Sequence, residues 1–284
     1  VSGAKYLKLH QNKGYMKRLI GIIGHPVHHS LSPTMHNAVL KYLGLDVEYL
    51  AFDVLPEELG HAVVGAKALG FLGLNITIPH KVEVMKFCTP DKISSQIGAV
   101  NTIKFDSEIQ GFNTDATGAY RSLKEAGVEV KGTKVLIIEA GGVHRAISYI
   151  LHIKGAEVVV ANRTVSKAKE ICDRLGTEYS GLDKLPQLVR WADIIINTTS
   201  VGMREDKSLV PKRLLDPTKV VFDIVYNPVE TRLLRDAREV GAKTIDGVKM
   251  LVYQGAESFR IWTGIEPPTD LMEKAVRNEL KNKN

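Results

Sequence analysis

Lys81 and Asp115 are the residues best suited by type and position to move a proton. Lys81 closes the run Asn75-Ile76-Thr77-Ile78-Pro79-His80-Lys81. The first part of that run is apolar and β-branched, which predicts a buried strand; Pro79 breaks it where a helix can begin. In open α/β sheets, ligands gather beyond the carboxyl ends of strands. An amine fixed there, partly withdrawn from water, can have its pKa lowered and work as an acid or base. Gly111-Phe112-Asn113-Thr114-Asp115 has the same shape, a short strand with polar groups at its exit. Should the two side chains meet, they form an ammonium–carboxylate pair able to exchange a proton with a hydroxyl group. Each also has a plainer explanation, Lys81 as a solvated residue at a helix start and Asp115 as a helix N-cap.

The chain around this pair has 284 residues, enough for two ordinary domains. Its charged and apolar fractions are those of a globular protein, and no apolar run approaches the roughly 18 residues of a membrane span. Val1 to Lys17 is polar and basic without the apolar core of a signal peptide, and residues before Met16 read equally as an added foreign segment or as a disordered leader. Cys88 and Cys172 fit neither a disulfide framework nor a zinc pattern, so a reducing, cytoplasmic setting is expected. The formal charge of +6 is dispersed, with only a mild basic cluster from Lys274 to Asn284. Without aromatic–basic interleaving it argues against nucleic acid and for anionic small molecules, carboxylates or phosphates. No membrane partner is expected, and a homodimer is compatible with the sequence.

Apolar runs alternate with amphipathic stretches almost from end to end. Strands are expected at Leu19–Gly24, Val47–Phe52, Phe71–Ile78, Val100–Phe105 and Ile109–Phe112. Helices are expected at Pro33–Leu43, capped by Ser32 with Pro33 in its first position, at Pro56–Leu69, through Met85 and around Asp91–Ile97. This alternation predicts an α/β unit with a mostly parallel sheet and helices on both faces. A second unit starts with a helix over Asp115–Ala126, then a strand at Val135–Ile138, a glycine pair, a helix over Ala146–Lys154, a strand at Glu157–Ala161 and a helix over Val165–Leu175. Later strands fall at Ile194–Asn197, Val220–Ile224 and Lys243–Ile245. Strand, glycine turn, helix and strand in that order make a Rossmann-like dinucleotide-binding domain. Two closing helices, Val248–Trp262 and Thr269–Leu280, have no strands after them and are expected to pack back on the first unit. The expected division is therefore a discontinuous substrate and catalytic domain, 17–114 with 248–284, and an inserted nucleotide-binding domain, 115–247, with a cleft between them.

The glycine loop reads Glu139-Ala140-Gly141-Gly142-Val143-His144-Arg145-Ala146. Glycines let the backbone turn tightly against a pyrophosphate, and the following helix offers free N–H groups to that anion. Glu139 stands where the first glycine is expected, and a carboxylate there opposes a diphosphate unless His144 or Arg145 pairs with it. Two glycines after a strand are more often a simple turn, so the loop alone is a weak signal. The end of the next strand strengthens it. Where an NAD site places an acid on the ribose hydroxyls, this chain has Asn162-Arg163-Thr164. An arginine can stack on adenine and fork onto a 2′-phosphate, which favours NADP. Asn162 and Thr164 could instead serve only as caps for the next helix.

Taken in order, these segments resemble the shikimate dehydrogenase family. The resemblance rests on Ser30-Leu31-Ser32-Pro33 after Gly24-His25-Pro26, on Asn75 to Lys81, on Gly98-Ala99-Val100-Asn101-Thr102 and on Gly111 to Asp115. It continues through Asn162-Arg163-Thr164, Asn197 to Met203, Asp223 to Pro228, and Asp246-Gly247 to Tyr253-Gln254-Gly255, covering about Leu19 to Pro268. The resemblance implies NADP-dependent, reversible oxidation of shikimate to 3-dehydroshikimate in aromatic amino-acid and chorismate biosynthesis. It implies that Lys81 and Asp115 are catalytic, and that Ser30 and Ser32 hold the substrate carboxylate. Thr77, Asn101 and Gln254 would bind ring hydroxyls, and Tyr226 would line the substrate crevice. On the same grounds Ala140, Gly141, Gly142, Asn162, Arg163, Thr164, Thr198, Val201, Met203 and Gly247 would hold the cofactor, although plain apolar packing also accounts for Val201 and Met203. His25, His28 and His29 lie close together in sequence but lack a ligand set, so no metal is expected, and His29 is expected to fix the loop carrying Ser30. Rival readings are a dehydrogenase acting on quinate or using NAD, and a non-catalytic regulator that binds NADP(H).

Overall fold

The structure, a computed structural model, describes residues 17–138 and 142–283. Two compact units result. The described residues up to Thr114 join those from Val252 onward in one, and Asp115–Leu251 supplies the other.

In the first unit the order is β1 (Arg18–Gly24), α1 (Ser32–Tyr42), β2 (Val47–Asp53), a 3-10 turn at Pro56–Glu58, α2 (Leu59–Ala68), β3 (Gly73–Ile76), a 3-10 turn at Glu83–Phe87, β4 (Thr89–Pro90), α3 (Lys92–Ile97), β5 (Thr102–Phe105) and β6 (Ile109–Phe112). The sheet order is β2-β1-β3-β5-β6-β4. β1 pairs in parallel with β2 and β3, whereas β5 runs antiparallel to both β3 and β6. β6 and β4 are again parallel, so five of the six strands run one way, as expected, and β5 alone runs against them. The cause is the short turn between β5 and β6, which returns the chain as a hairpin instead of through a crossover helix. Ile23, Leu59, Val63, Leu74, Ile76, Val100 and Ile103 form its core.

The second unit opens with α4 (Asp115–Glu125), β7 (Lys134–Ile138), α5 (Val143–Ile153), β8 (Glu157–Asn162), α6 (Val165–Leu175), β9 (Glu178–Gly181), α7 (Leu185–Trp191) and β10 (Ile194–Asn197). β11 (Val220–Asp223), α8 (Arg232–Glu239), β12 (Lys243–Ile245) and the start of α9 (Gly247–Thr263) follow. Its sheet order is β12-β11-β10-β7-β8-β9, with all strand pairs parallel. Counted within the unit this is 6-5-4-1-2-3, the doubly wound dinucleotide-binding order. Its apolar strands lack alternation because both faces are covered. Val135, Ile137, Ile194 and Ile196 pack on one side, and Leu136, Ile138 and Ile195 on the other. α10 (Thr269–Lys283) lies against α1 in the first unit.

Three local expectations are overturned. Ser32 does not cap α1; it is the first helical residue, Leu31 holds the N-cap position, and no side chain caps there. Leu31 is buried, so packing rather than capping selects the residue at that place. Ser30, too early in sequence to serve as a cap, nevertheless accepts from the Ser32 amide at 3.3 Å. Pro79 does not start a helix: residues 78–82 form a turn, and helical geometry begins at Glu83 as a single 3-10 segment. The expected strand Phe71–Ile78 also shortens to Gly73–Ile76.

Candidate active site

In the first unit the strand order reverses at β1, whose neighbours β2 and β3 are reached in opposite directions, and ligands gather beyond such a point. The two loops leaving there are stitched together. Thr77 N donates to Ile23 O at 2.9 Å, and His25 N donates to Ile78 O at 2.9 Å. Gly24 is required at this crossing, since a Cβ would lie 2.4 Å from Thr77 Cγ2. One loop carries Ser30 and Ser32, the other Thr77 and Lys81. His25 Nδ1 also lies 2.7 Å from Asp53 Oδ1, tying the first loop to the end of β2. The His28 and His29 rings meet edge to face. Among the described residues no cluster of three or more His, Cys, Asp or Glu side chains has a metal-holding arrangement.

Residues 100 and 101 anchor both halves of the proposed proton-transfer pair. Val100 N donates to Lys81 O at 2.8 Å. Thr114 N donates to Asn101 Oδ1 at 2.8 Å, and Asn101 Nδ2 donates to Thr114 Oγ1 at 3.0 Å, which sets the backbone immediately before Asp115. Lys81 and Asp115 are both buried, 8% and 4% exposed, although a lysine and an aspartate are seldom so withdrawn from water without a partner. Both take part in polar or electrostatic interactions. Asp115 is the first residue of α4, near enough to its N-terminus for its charge to favour the helix dipole.

Behind Asn101 lies a buried polar cluster. Asn75 Nδ2 donates to Asn101 O, Thr102 Oγ1 and Ser258 Oγ, each at 3.1 Å. Tyr49 Oη donates to Asn75 Oδ1 at 2.7 Å. Ser258 Oγ in turn donates to Gln254 O at 3.0 Å, one turn back along α9.

The second unit presents its own strand ends. β7 and β10 adjoin where the strand order reverses. There Thr198 N and Thr198 Oγ1 both donate to Ile138 O at 2.8 Å. Asn197 Nδ2 donates to Asp223 Oδ1 at 2.9 Å and to Val201 O at 3.3 Å. Asp223 also accepts from Thr231 Oγ1 at 2.7 Å and Val225 N at 3.1 Å. These donors favour its carboxylate, but burial outweighs them and pushes the group up to about 6. Gly247 has a steric reason to be glycine, since a Cβ would lie 2.3 Å from Ile224 O. Tyr226 is half-buried, and burial raises its phenol. Val201 is half-buried, and Met203 is 40% exposed.

At the end of β8, Asn162 Oδ1 accepts from Thr164 N at 3.1 Å. Thr164 occupies the N-cap position of α6, but its side chain makes no cap bond. Arg163 is exposed at that turn. No acid lies in the first turn of α5, whose N-cap position is Gly142. Glu139, Ala140 and Gly141 fall outside the described residues.

Three family models match the chain in succession. Residues 22–103 match the shikimate dehydrogenase substrate binding domain, 121–250 match shikimate / quinate 5-dehydrogenase, and 247–277 match the shikimate 5′-dehydrogenase C-terminal domain. The chain belongs to the shikimate dehydrogenase family. A relative from Methanocella arvoryzae, named shikimate dehydrogenase (NADP(+)), is 49% identical over 270 residues, covering 93% of this chain and 100% of that one. A shikimate dehydrogenase solved in complex with NADP+ superposes with a TM-score of 0.87 at 46% identity, covering 93% of this chain and 96% of the other. The Thermus thermophilus enzyme, solved with NADP(H) and shikimate, gives 0.85 at 37% identity, covering 92% and 99%.

Within this family frame, Ser30, Ser32, Thr77, Lys81 and Asn101 sit on or directly behind the loops at one end of the first sheet, and Gln254 joins through α9. Thr198, Val201 and Asn162 to Thr164 lie at the carboxyl ends of β10 and β8. Sequence reading missed Tyr49, Asn75, Thr102, Thr114 and Ser258 as a connected group. The one available signal was Asn75, a lone amide inside an apolar run, because a buried amide must find partners.

Proposed function

We propose that this chain catalyses the reversible NADP-dependent oxidation of shikimate to 3-dehydroshikimate, a step of chorismate and aromatic amino-acid biosynthesis. The observation that carries the site assignment is the shared anchoring of Lys81 and Thr114 to adjacent residues, Val100 and Asn101. That anchoring fixes the attachment points of the lysine and of the aspartate that follows Thr114. Lys81 takes the proton from the ring hydroxyl during oxidation and returns it during reduction. Asp115 orients the Lys81 amine toward that hydroxyl. Ser30 and Ser32 donate hydroxyl protons to the substrate carboxylate. Thr77, Asn101, Gln254 and Tyr226 bind the ring side, and a site built from fixed donors and acceptors rejects a ring lacking the matching hydroxyls.

The second unit fits a dinucleotide carrying a 2′-phosphate. The first turn of α5 holds no acid, and β8 ends in Asn162-Arg163-Thr164 with Arg163 exposed. Gly142 with Ala140 and Gly141 would hold the pyrophosphate. Asn162 to Thr164 would hold the adenosine half, and Thr198, Val201, Met203 and Gly247 the nicotinamide half. NADP, when bound, supplies the acceptor for the hydride. Neither Cys88 nor Cys172 is in a disulfide, in keeping with a reducing, cytoplasmic setting. No helix among the described residues is long and apolar enough to cross a membrane.

The test is NADPH absorbance with shikimate for the parent and Lys81→Ala. The variant is expected to keep most shikimate binding and to lose about 10²- to 10⁴-fold in kcat, the usual contribution of a general acid–base group. Equal turnover would remove Lys81 from the mechanism. Parallel assays with quinate and with NAD separate this reading from a quinate- or NAD-preferring relative.

A further inference from the structure

Tyr49 is a strand residue with no exposure, yet its phenol oxygen stands among the polar groups behind the proposed substrate site. Every part of it is held. Its backbone N donates to Asn37 Oδ1 at 2.9 Å and its carbonyl accepts from Asn37 Nδ2 at 2.8 Å. Its ring stacks on His36 with centroids 4.4 Å apart and planes 9° apart, and Trp262 flanks it at 6.2 Å. The hydroxyl is thereby delivered to one place. It donates to Asn75 Oδ1 at 2.7 Å. Asn75 passes the constraint to the carbonyl of Asn101 and to Thr102 and Ser258. A side-chain amide holds one orientation only when its carbonyl oxygen and its NH2 group both have partners, and Tyr49 supplies the hydrogen bond that the Asn75 carbonyl accepts.

Building on the function proposed above, we propose that Tyr49 is a positioning residue for shikimate binding, setting the Asn101 backbone through Asn75. It touches no substrate. Its effect is to hold the ring-binding residue Asn101 in one fixed place before the ligand arrives, which lowers the ordering cost of binding.

Steady-state kinetics of Tyr49→Phe, Asn101→Ala, the double variant and His36→Phe test this, with thermal midpoints measured alongside. Tyr49→Phe keeps the ring and removes only the oxygen. It is expected to raise the KM for shikimate about tenfold, the effect of one lost hydrogen bond, while kcat stays within about threefold and the KM for NADP is unchanged. His36→Phe preserves the stack without touching the polar cluster and is expected to leave both KM values at the parent level. In the Asn101→Ala background, adding Tyr49→Phe is expected to change the KM for shikimate less than about threefold, because coupled residues are not additive. An unchanged KM in Tyr49→Phe, a fully additive cycle, or a loss shared equally with NADP and with His36→Phe would overturn the proposal while parent turnover stands. Absence of shikimate turnover by the parent would overturn the functional reading and this proposal together.

Discussion

The two units bury their polar groups in opposite ways. In the first, the node around Asn75 is wholly neutral: an amide, a phenol and three hydroxyls exchange hydrogen bonds across β2, β3, β5 and α9. In the second, the node at the end of β11 is built on a carboxylate, Asp223, with an amide, a hydroxyl and a backbone N–H around it. A neutral node loses little by desolvation once its bonds are made, whereas a buried carboxyl must still offset the cost of its charge. The first arrangement is therefore indifferent to pH and the second is not.

The largest break in that contrast is Asn75→Ala. It strands the Tyr49 hydroxyl and removes the donor shared by Thr102, Ser258 and Asn101. At about 1–3 kcal/mol for each buried group left unsatisfied, a loss of roughly 3–5 kcal/mol is expected in denaturant unfolding, equal at pH 5 and pH 8. A loss that changed with pH would mean that a titrating group shares the node.

Asp223→Asn probes the charged node. With the folded carboxyl raised to about 6 from 3.8, its favourable contribution is complete below pH 3.8 and is lost as pH rises through about 6. The stability of the variant relative to the parent should therefore climb between pH 4 and pH 7, by up to about 3 kcal/mol at roughly 1.4 kcal/mol for each pKa unit. A constant difference would show that the three donors keep the carboxylate ionised throughout.

His36→Phe sharpens the comparison from the other direction. The ring is buried between Tyr49 and Phe259 with no hydrogen-bond partner among the described residues, and burial lowers its pKa to about 3. Its contribution is present above about pH 6.5 and is lost as pH falls toward 3. Between pH 7 and pH 5 the parent should lose about 2 kcal/mol relative to the phenylalanine variant, read from thermal midpoints. Parallel curves would place the imidazole in contact with water.

Legibility followed the range of the interactions. The continuous apolar runs at Val135–Ile138 and Ile194–Asn197 announced buried parallel strands, and the glycine and turn residues between elements placed most boundaries. The short, polar β9, Glu178 to Gly181, carried no such pattern, because an edge strand need not be apolar on both sides. Lys81 and Asp115 stood out by type and setting, and both are buried. The Asn75 node was not, since its partner Ser258 lies 183 residues away and no local period records that meeting. Ser32 was misread as a cap for a related reason: hydroxyls at a helix start usually cap, and only the burial of Leu31 shows that packing took precedence.

Asn37 has a consequence for how this molecule meets others. β2 is the outermost strand of its sheet, and such a border exposes amides and carbonyls that invite a foreign strand to add on. By occupying both backbone groups of Tyr49, the Asn37 side chain fills one rung of that ladder from within the same chain. Recruiting β2 into an intermolecular sheet would first require expelling this amide, so the residue that steadies an interior ring also guards the border against aggregation.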